Sequence, residues 1–441
     1  MSSVIRDANG FVPDPEEQGT VSARPSPLPA DDPDEVSYVQ RNSAYWRRNL
    51  AVCVFGSFTT LVSLSMLLPF LPLYVEQLGA TSQSAIVQWS GVAFGATFLG
   101  TGITAPIWGW LADRYGRKPM LIRAAVGMAI VMSLIGVAHN VTELVVLRLV
   151  AGLVGGYASA SLVMVGTQAP PERAGWALGL LSTGALAGNL VGPLVGGFLP
   201  TWLGIRGTFF AGGGIIAIAA LLTIFVVRED FRPAADLKRR SATTAAPSPT
   251  NRMAIVVLLL TAMMVLLANM SIEPIITVYV SELGIAHDHL AQTAGFIMAC
   301  SAFGSILTAA RLGALADRIG GWSVIVGCLL LTGLVMLPQA FVTSWWQLAA
   351  LRGLMGMTLA GLLPSIAKLI RHSVDEANSG RTLGYLQSAQ FSGQVIGPLL
   401  GGLIGVHVGM RAVFFVTGFL LIACAGLAQR ARPHSSPSRT P

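Results

Sequence analysis

Gly109-Trp-Leu-Ala-Asp113-Arg-Tyr-Gly116-Arg-Lys-Pro-Met-Leu121 is a polar island between two long apolar runs. Within six positions it holds one carboxylate, Asp113, and three cations, Arg114, Arg117 and Lys118. Charges so closely grouped cannot lie in hydrocarbon, whereas about 20 apolar residues on each side suffice to cross it, so the island reads as a tight loop at a membrane surface. Its positive charge assigns that surface to the cytoplasm.

Composition agrees. The chain has 441 residues, 53% hydrophobic and only 11% charged, with a mean hydropathy of +0.66. No water-soluble domain of ordinary surface tolerates this, so the lipid bilayer is its solvent. The net charge of +7 raises nucleic-acid binding as an option. The cations, however, stand at the ends of apolar segments and form no stripe with interleaved aromatics, so no nucleic-acid partner is expected. The four cysteines, Cys53, Cys300, Cys328 and Cys424, all fall in apolar segments without a Cys-x-x-Cys or a Cys/His group. They read as small buried hydrophobes, with neither a disulfide framework nor a metal site.

Residues 1–45 are rich in Pro, Asp and Glu without apolar periodicity, and a disordered tail is expected there. Beyond them, apolar windows recur at 49–75, 85–112, 119–138, 141–165, 175–200, 207–228, 253–281, 289–316, 321–341, 344–370, 381–406 and 411–429. The expected organisation is all-α: twelve transmembrane helices in two six-helix bundles, 46–228 and 253–430, joined by a linker at 229–252 and followed by a tail at 431–441. With the N-terminus inside, the cytoplasmic joints collect nearly all the arginines and lysines, while the opposite joints hold only Arg206 and Arg411. Both termini are therefore expected in the cytoplasm.

The halves repeat each other. Gly109-x-Leu-Ala-Asp113-Arg-x-Gly116 returns as Gly313-x-Leu-Ala-Asp317-Arg318-x-Gly320, and Gly188-x3-Gly192-Pro193-x2-Gly196-Gly197 returns as Gly393-x3-Gly397-Pro398-x2-Gly401-Gly402. Tyr74, Gly79 and Arg148 match Tyr279, Gly284 and Arg352, always at an offset of 204 or 205 residues. An even number of spans per repeat gives both halves one orientation, related by an axis along the membrane normal.

The island resembles, at every specified position, the loop signature between helices 2 and 3 of the major facilitator superfamily. The Gly-Pro-x2-Gly-Gly stretch of span 5 is similar to the antiporter signature of its twelve-span drug:proton antiporter family, and the likeness covers residues 46–430. This resemblance implies a secondary transporter of a bacterial inner membrane, not an enzyme. It would export amphiphilic drugs or toxic small molecules in exchange for protons, by alternating access, as a monomer. The proton gradient would be its energy source, with no cofactor. The alternative is an importer or single-metabolite carrier of sugars or organic acids with the same fold.

Several residues follow as candidates. Asp113, at the end of span 2, is expected to accept backbone N–H groups at the start of span 11, the partner that the resemblance implies. Arg117 and Lys118 are expected to grip Glu172 or Glu376 across the opening, so that Gly109, Asp113, Arg114, Gly116, Arg117 and Lys118 form a gate, with Asp317 and Arg318 as its weaker copy. The copy has Gly321-Trp322 in place of the Arg-Lys pair. In span 5, Gly188, Gly192, Gly196 and Gly197 permit close helix approach, and Pro193 a bend. Within the spans, three charges stand out, because each costs several kcal/mol (~3 on insertion scales) unless paired or wetted: Arg148, Glu273 and Arg352. All three lie roughly 10–12 Å down their helices, and the resemblance places spans 1, 4, 7 and 10 around a central cavity. Arg148 also matches the family pattern of span 4, although Ala151 stands where a Gln is usual. Glu273 is the expected carrier of a proton or contact of a cationic substrate, with a structural Glu–Arg pair as the plainer option. Many members keep this acid in span 1, where the chain has none between Arg48 and Glu76. Phe58, Met66, Tyr157, Met264, Asn269 and Met355 are the expected cavity residues, as deformable apolar and aromatic surface suits a small-molecule substrate.

No His-Glu-x-x-His, Gly-x-Ser-x-Gly or phosphate-cradling loop stands in a suitable context.

Overall fold

A computed structural model describes residues 33–229, 252–374 and 376–432, with side chains described outside 33–44, 171 and 376–380. Eleven helices in it are long and apolar enough to cross a membrane. The longest, Glu172–Val226, has 55 residues, far above the 20 or so that suffice. Gly204 turns within it at φ +71 and ψ 166, so this helix is spans 5 and 6 joined, and twelve crossings result. The expected linker falls mostly on 230–251, and the final tail mostly on 433–441, outside the described residues. The first helix runs from Pro33 to Ser65, so the unstructured tail expected up to residue 45 ends earlier. Pro33 suits a first helical turn, and no Pro or Gly interrupts the chain from there to Gly56.

Spans 1, 4, 7 and 10 are each broken. Span 1 resumes as Leu71–Gln77 and span 7, Arg252–Ile272, as Ile276–Glu282. Pro69 and Pro274 stand in these breaks, where a residue without an N–H ends the helical ladder. Span 4 is Val141–Val154 then Tyr157–Gln168, and span 10 is Trp345–Leu359 then Leu362–Ser373. The halves repeat even in side-chain contacts. Tyr74 donates its hydroxyl to the Ile135 carbonyl at 2.6 Å and Tyr279 to that of Gln339 at 2.9 Å, and both rings lie 5.1 Å from a phenylalanine, Phe209 or Phe414.

The glycine motifs explain how the bundles close and meet. A Cβ at Gly188 would sit 2.8 Å from the Phe58 carbonyl, one at Gly192 2.9 Å from that of Val62, and one at Gly196 on that of Met66, so span 5 lies against span 1 backbone to backbone. Pro193 and Gly197 instead face span 8, Gly295 meeting the Pro193 carbonyl. The copy does the same: Gly393, Gly397 and Gly401 lie on span 7, while Pro398 and Gly402 meet span 2 through Gly91 and Val87. Small residues at every fourth position make such approaches possible without a cavity.

These contacts between halves fall away from the side that carries the island. The polar links described between halves lie there too: Thr277 Oγ1 donates to the Pro69 carbonyl at 2.9 Å, Gln83 Nε2 to Glu282 Oε1 at 3.5 Å, and Glu76 approaches His287 at 3.4 Å. Among the described residues, the molecule is therefore closed opposite the island and open beside it.

Candidate transport site and gate

A cavity of about 510 Å³ lies between the halves, lined by spans 1, 2, 5, 7, 8 and 10. Most of its wall is apolar, including Leu68, Phe94, Phe98 and Met298, and its charged lining residues are Glu273 and Arg352. Glu273 is the first residue of the span 7 break, just before Pro274, so the interruption exposes its carboxylate to the cavity rather than to a packed helix face. Asn269, one turn earlier, donates Nδ2 to Glu273 Oε1 at 3.0 Å. Arg352 is 1% exposed and donates Nη1 to the Met355 sulfur at 3.4 Å. Glu273 and Arg352 act on each other electrostatically without an ion-pair contact. A carboxylate with an amide donor and a cation held back from it can gain or lose a proton without dismantling a salt bridge.

On the island side, Gly116 joins spans 2 and 3 at φ +96, as Gly320 joins spans 8 and 9 at φ +90. This left-handed backbone is accessible to glycine at little cost. Span 3 then begins at Arg117, and its first N–H groups need an acceptor. Glu229 supplies it: its carboxylate accepts the N–H of Arg117 at 2.9 Å and of Lys118 at 2.6 Å. Asn49 positions Glu229 by bonding both backbone groups of the preceding Arg228, the carbonyl at 2.6 Å and the N–H at 3.1 Å.

The sequence profile of the Major Facilitator Superfamily matches residues 53–291 and 258–441. The chain belongs to the major facilitator superfamily. It is 42% identical over 377 residues to the multidrug resistance protein MdtG of Salmonella typhimurium, covering 86% of this chain and 93% of the relative. The MdtG of Proteus mirabilis is 40% identical, with 86% and 94% covered. Among solved structures, a bacterial homolog of the human lysosomal transporter Spinster, in an inward-facing and occupied conformation, superposes with TM-score 0.71 at 16% identity, covering 88% of this chain and 97% of that one. The human organic anion transporter MFSD10 gives 0.63 at 19% identity, with 87% and 99% covered. At such identities the likeness concerns the fold alone. As members of this superfamily are transporters, the chain is a multi-pass membrane transporter of small molecules.

Within this superfamily member, the structure distributes the candidates unevenly. Glu273, Arg352 and Asn269 all line the cavity. Arg148 is fully buried but stands outside the lining: its guanidinium lies 5.9 Å from the ring of Phe94, which separates it from the cavity. The expectation that three charges face the cavity together is thus corrected to two, because span 2 covers span 4 at that depth. Tyr157 is turned into its own bundle and bonds Thr223 at 2.8 Å, and Met66 is buried against span 6 at Gly212. Phe58, Met264 and Met355 also lie off the lining, Met355 serving instead as the sulfur partner of Arg352. Spacing along one helix could not show which face turns to the neighbouring helix. Phe94 and Phe98 were missed; their spacing of four residues, with rings 5.2 Å apart, was the available signal for a shared aromatic face.

The gate also differs from expectation. Asp113 is 58% exposed and pairs at 2.6 Å with Arg117 of its own loop, rather than with a described side chain of span 11. No described carboxylate grips Arg117 and Lys118 across the opening: Glu229, of the same half, bonds their backbone N–H groups, Glu172 is exposed, and the side chain of Glu376 lies outside the described ones. Arg114 stacks on Trp110 and Tyr115, 5.6 Å from each ring. A Cβ at Gly109 or Gly313 would meet nothing within 4 Å. Among the described residues, the island has no bond to the second half. In the copy, Asp317 pairs with Lys368 of span 10, and Arg318 is exposed.

Proposed function

We propose that the chain exports amphiphilic small molecules in exchange for protons, its island side facing the cytoplasm of a bacterial membrane. The observation that carries this reading is an apolar cavity between the two halves with one carboxylate, Glu273, among its described lining residues. An apolar and aromatic wall accepts varied amphiphiles, and a lone acid beside a buried arginine can exchange a proton for a substrate as access alternates. The bias of arginine and lysine toward the island side supports the orientation, so the structure corresponds to an inward-open state. In the outward-open state, Asp113 reaches the start of span 11 and the island closes the cytoplasmic side. The names of the MdtG relatives support drugs as cargo. The test is ethidium accumulation and drug susceptibility in a pump-deficient bacterium expressing the chain. Lower accumulation that a protonophore abolishes is expected; no protonophore-sensitive change for any amphiphile tried would overturn the reading in favour of a single-metabolite carrier.

A further inference from the structure

The breaks in spans 4 and 10 occupy matching positions but are built differently. In span 4, Gly156 adopts φ +108, and the turn frees the preceding carbonyls from the helix. In hydrocarbon an unsatisfied carbonyl costs several kcal/mol, and two side chains from other spans satisfy these. Trp108 of span 2 donates Nε1 to the Leu153 carbonyl at 2.7 Å. Arg123 of span 3 donates Nη1 to the carbonyls of Val154 at 2.8 Å and Gly155 at 3.1 Å. The Arg123 guanidinium also lies 3.6 Å from the centre of the Trp108 ring, so the two donors brace each other. Three helices are thereby tied to one break.

The second half keeps one of these ties, Thr308 of span 8 donating Oγ1 to the Met357 carbonyl at 2.8 Å where the first half has Trp108 on Leu153, and lacks the rest. At the repeat offset Trp108 becomes Leu312 and Arg123 becomes Gly327. Ala360 and Gly361 keep right-handed helical angles, φ −58 and −88, so the break in span 10 is a bend that other helical angles can absorb. Thr332 and Thr358 pair through their side chains at 2.7 Å, but no described side chain donates to the carbonyls of Thr358 or Leu359, the counterparts of those of Val154 and Gly155 that Arg123 holds.

We propose that Arg123 and Trp108 clamp the break of span 4 into a rigid elbow, so that the bending of access helices during transport is taken up in span 10. The two residues are positioning residues: they touch neither the cavity lining nor Glu273. The clamp holds whatever the chain carries, since it requires only a transporter that alternates between two openings.

Spin-label pairs test this in the full chain in lipid nanodiscs, with the four native cysteines replaced by alanine. One pair is placed at Val146 and Val163, the other at the repeat-related Ala350 and Ala367. Pulsed electron spin resonance should give a single narrow distance population across span 4 and a broad or double one across span 10. R123Q should abolish the narrow population while leaving the span 10 distribution unchanged, and R123K, which keeps a cationic donor near the carbonyls, should restore it in part. W108F provides a second route if R123Q fails to fold, with the same broadening expected. Equal widths across both breaks in the parent chain, or a narrow span 4 population surviving R123Q or W108F, would overturn the proposal.

Discussion

The two halves share a scaffold and differ in their chemistry. Glycines and tyrosine anchors recur at a constant offset and make the same contacts, Gly196 on Met66 in one half and Gly401 on Ser271 in the other. Polar residues diverge. Glu273 stands where the first half has Leu68, Arg123 where the second has Gly327, and Asn49 where the second has Ala254. Helix packing is a constraint both bundles must satisfy, so duplication preserves it. Under the proposed exchange, by contrast, a proton site is needed once, and a second buried acid would add several kcal/mol of cost without adding coupling.

The comparison is broken or sharpened most by Glu273. E273Q keeps the shape and the Asn269 contact, yet should lower protonophore-sensitive ethidium efflux by about tenfold or more, as loss of the exchangeable proton removes the driving force. Retained proton-driven efflux would show that the asymmetry at Leu68 and Glu273 concerns packing only. The gate is next. D113A should reduce efflux severalfold at unchanged protein levels in the membrane, whereas D317A, whose partner Lys368 is exposed, should cost less than a factor of about two, as surface pairs contribute little. Equal losses would mean that both islands latch.

Packing should behave oppositely. G196A and G401A each force a Cβ onto a carbonyl of the neighbouring helix, and both should lower thermal stability in detergent to a similar degree, by about 1–3 kcal/mol. A large difference between them would break the claim of a shared scaffold. The smallest effect is expected from E229Q. The carboxylate at the start of span 3 contributes about 0.3–1 kcal/mol as a charge on a helix N-terminus, and its amide keeps one acceptor. Efflux should change by less than about threefold, while hydrogen exchange at Arg117 and Lys118 should quicken.

Much of this was legible in the sequence because a bilayer leaves few options: apolar windows of sufficient length must be helices, and charge must gather at their ends. Island, repeat, glycine stripes and the acid at cavity depth followed from that. What stayed hidden depends on which face of a helix meets which neighbour. Arg148 and Arg352 are equivalent in sequence, yet Phe94 covers one and the cavity reaches the other.

The sequence by itself determined the class, the twelve spans, the two-bundle repeat and the residues able to carry charge across the membrane, since hydropathy and spacing are local properties of a chain. Only the tertiary structure decided that the halves are closed opposite the island and open beside it. It alone brought Glu229 to the start of span 3 and Arg123 to the carbonyls of span 4. Those partners lie 31 to 112 residues apart in the chain, and no local pattern encodes which distant donor will satisfy a group that the bilayer leaves without water.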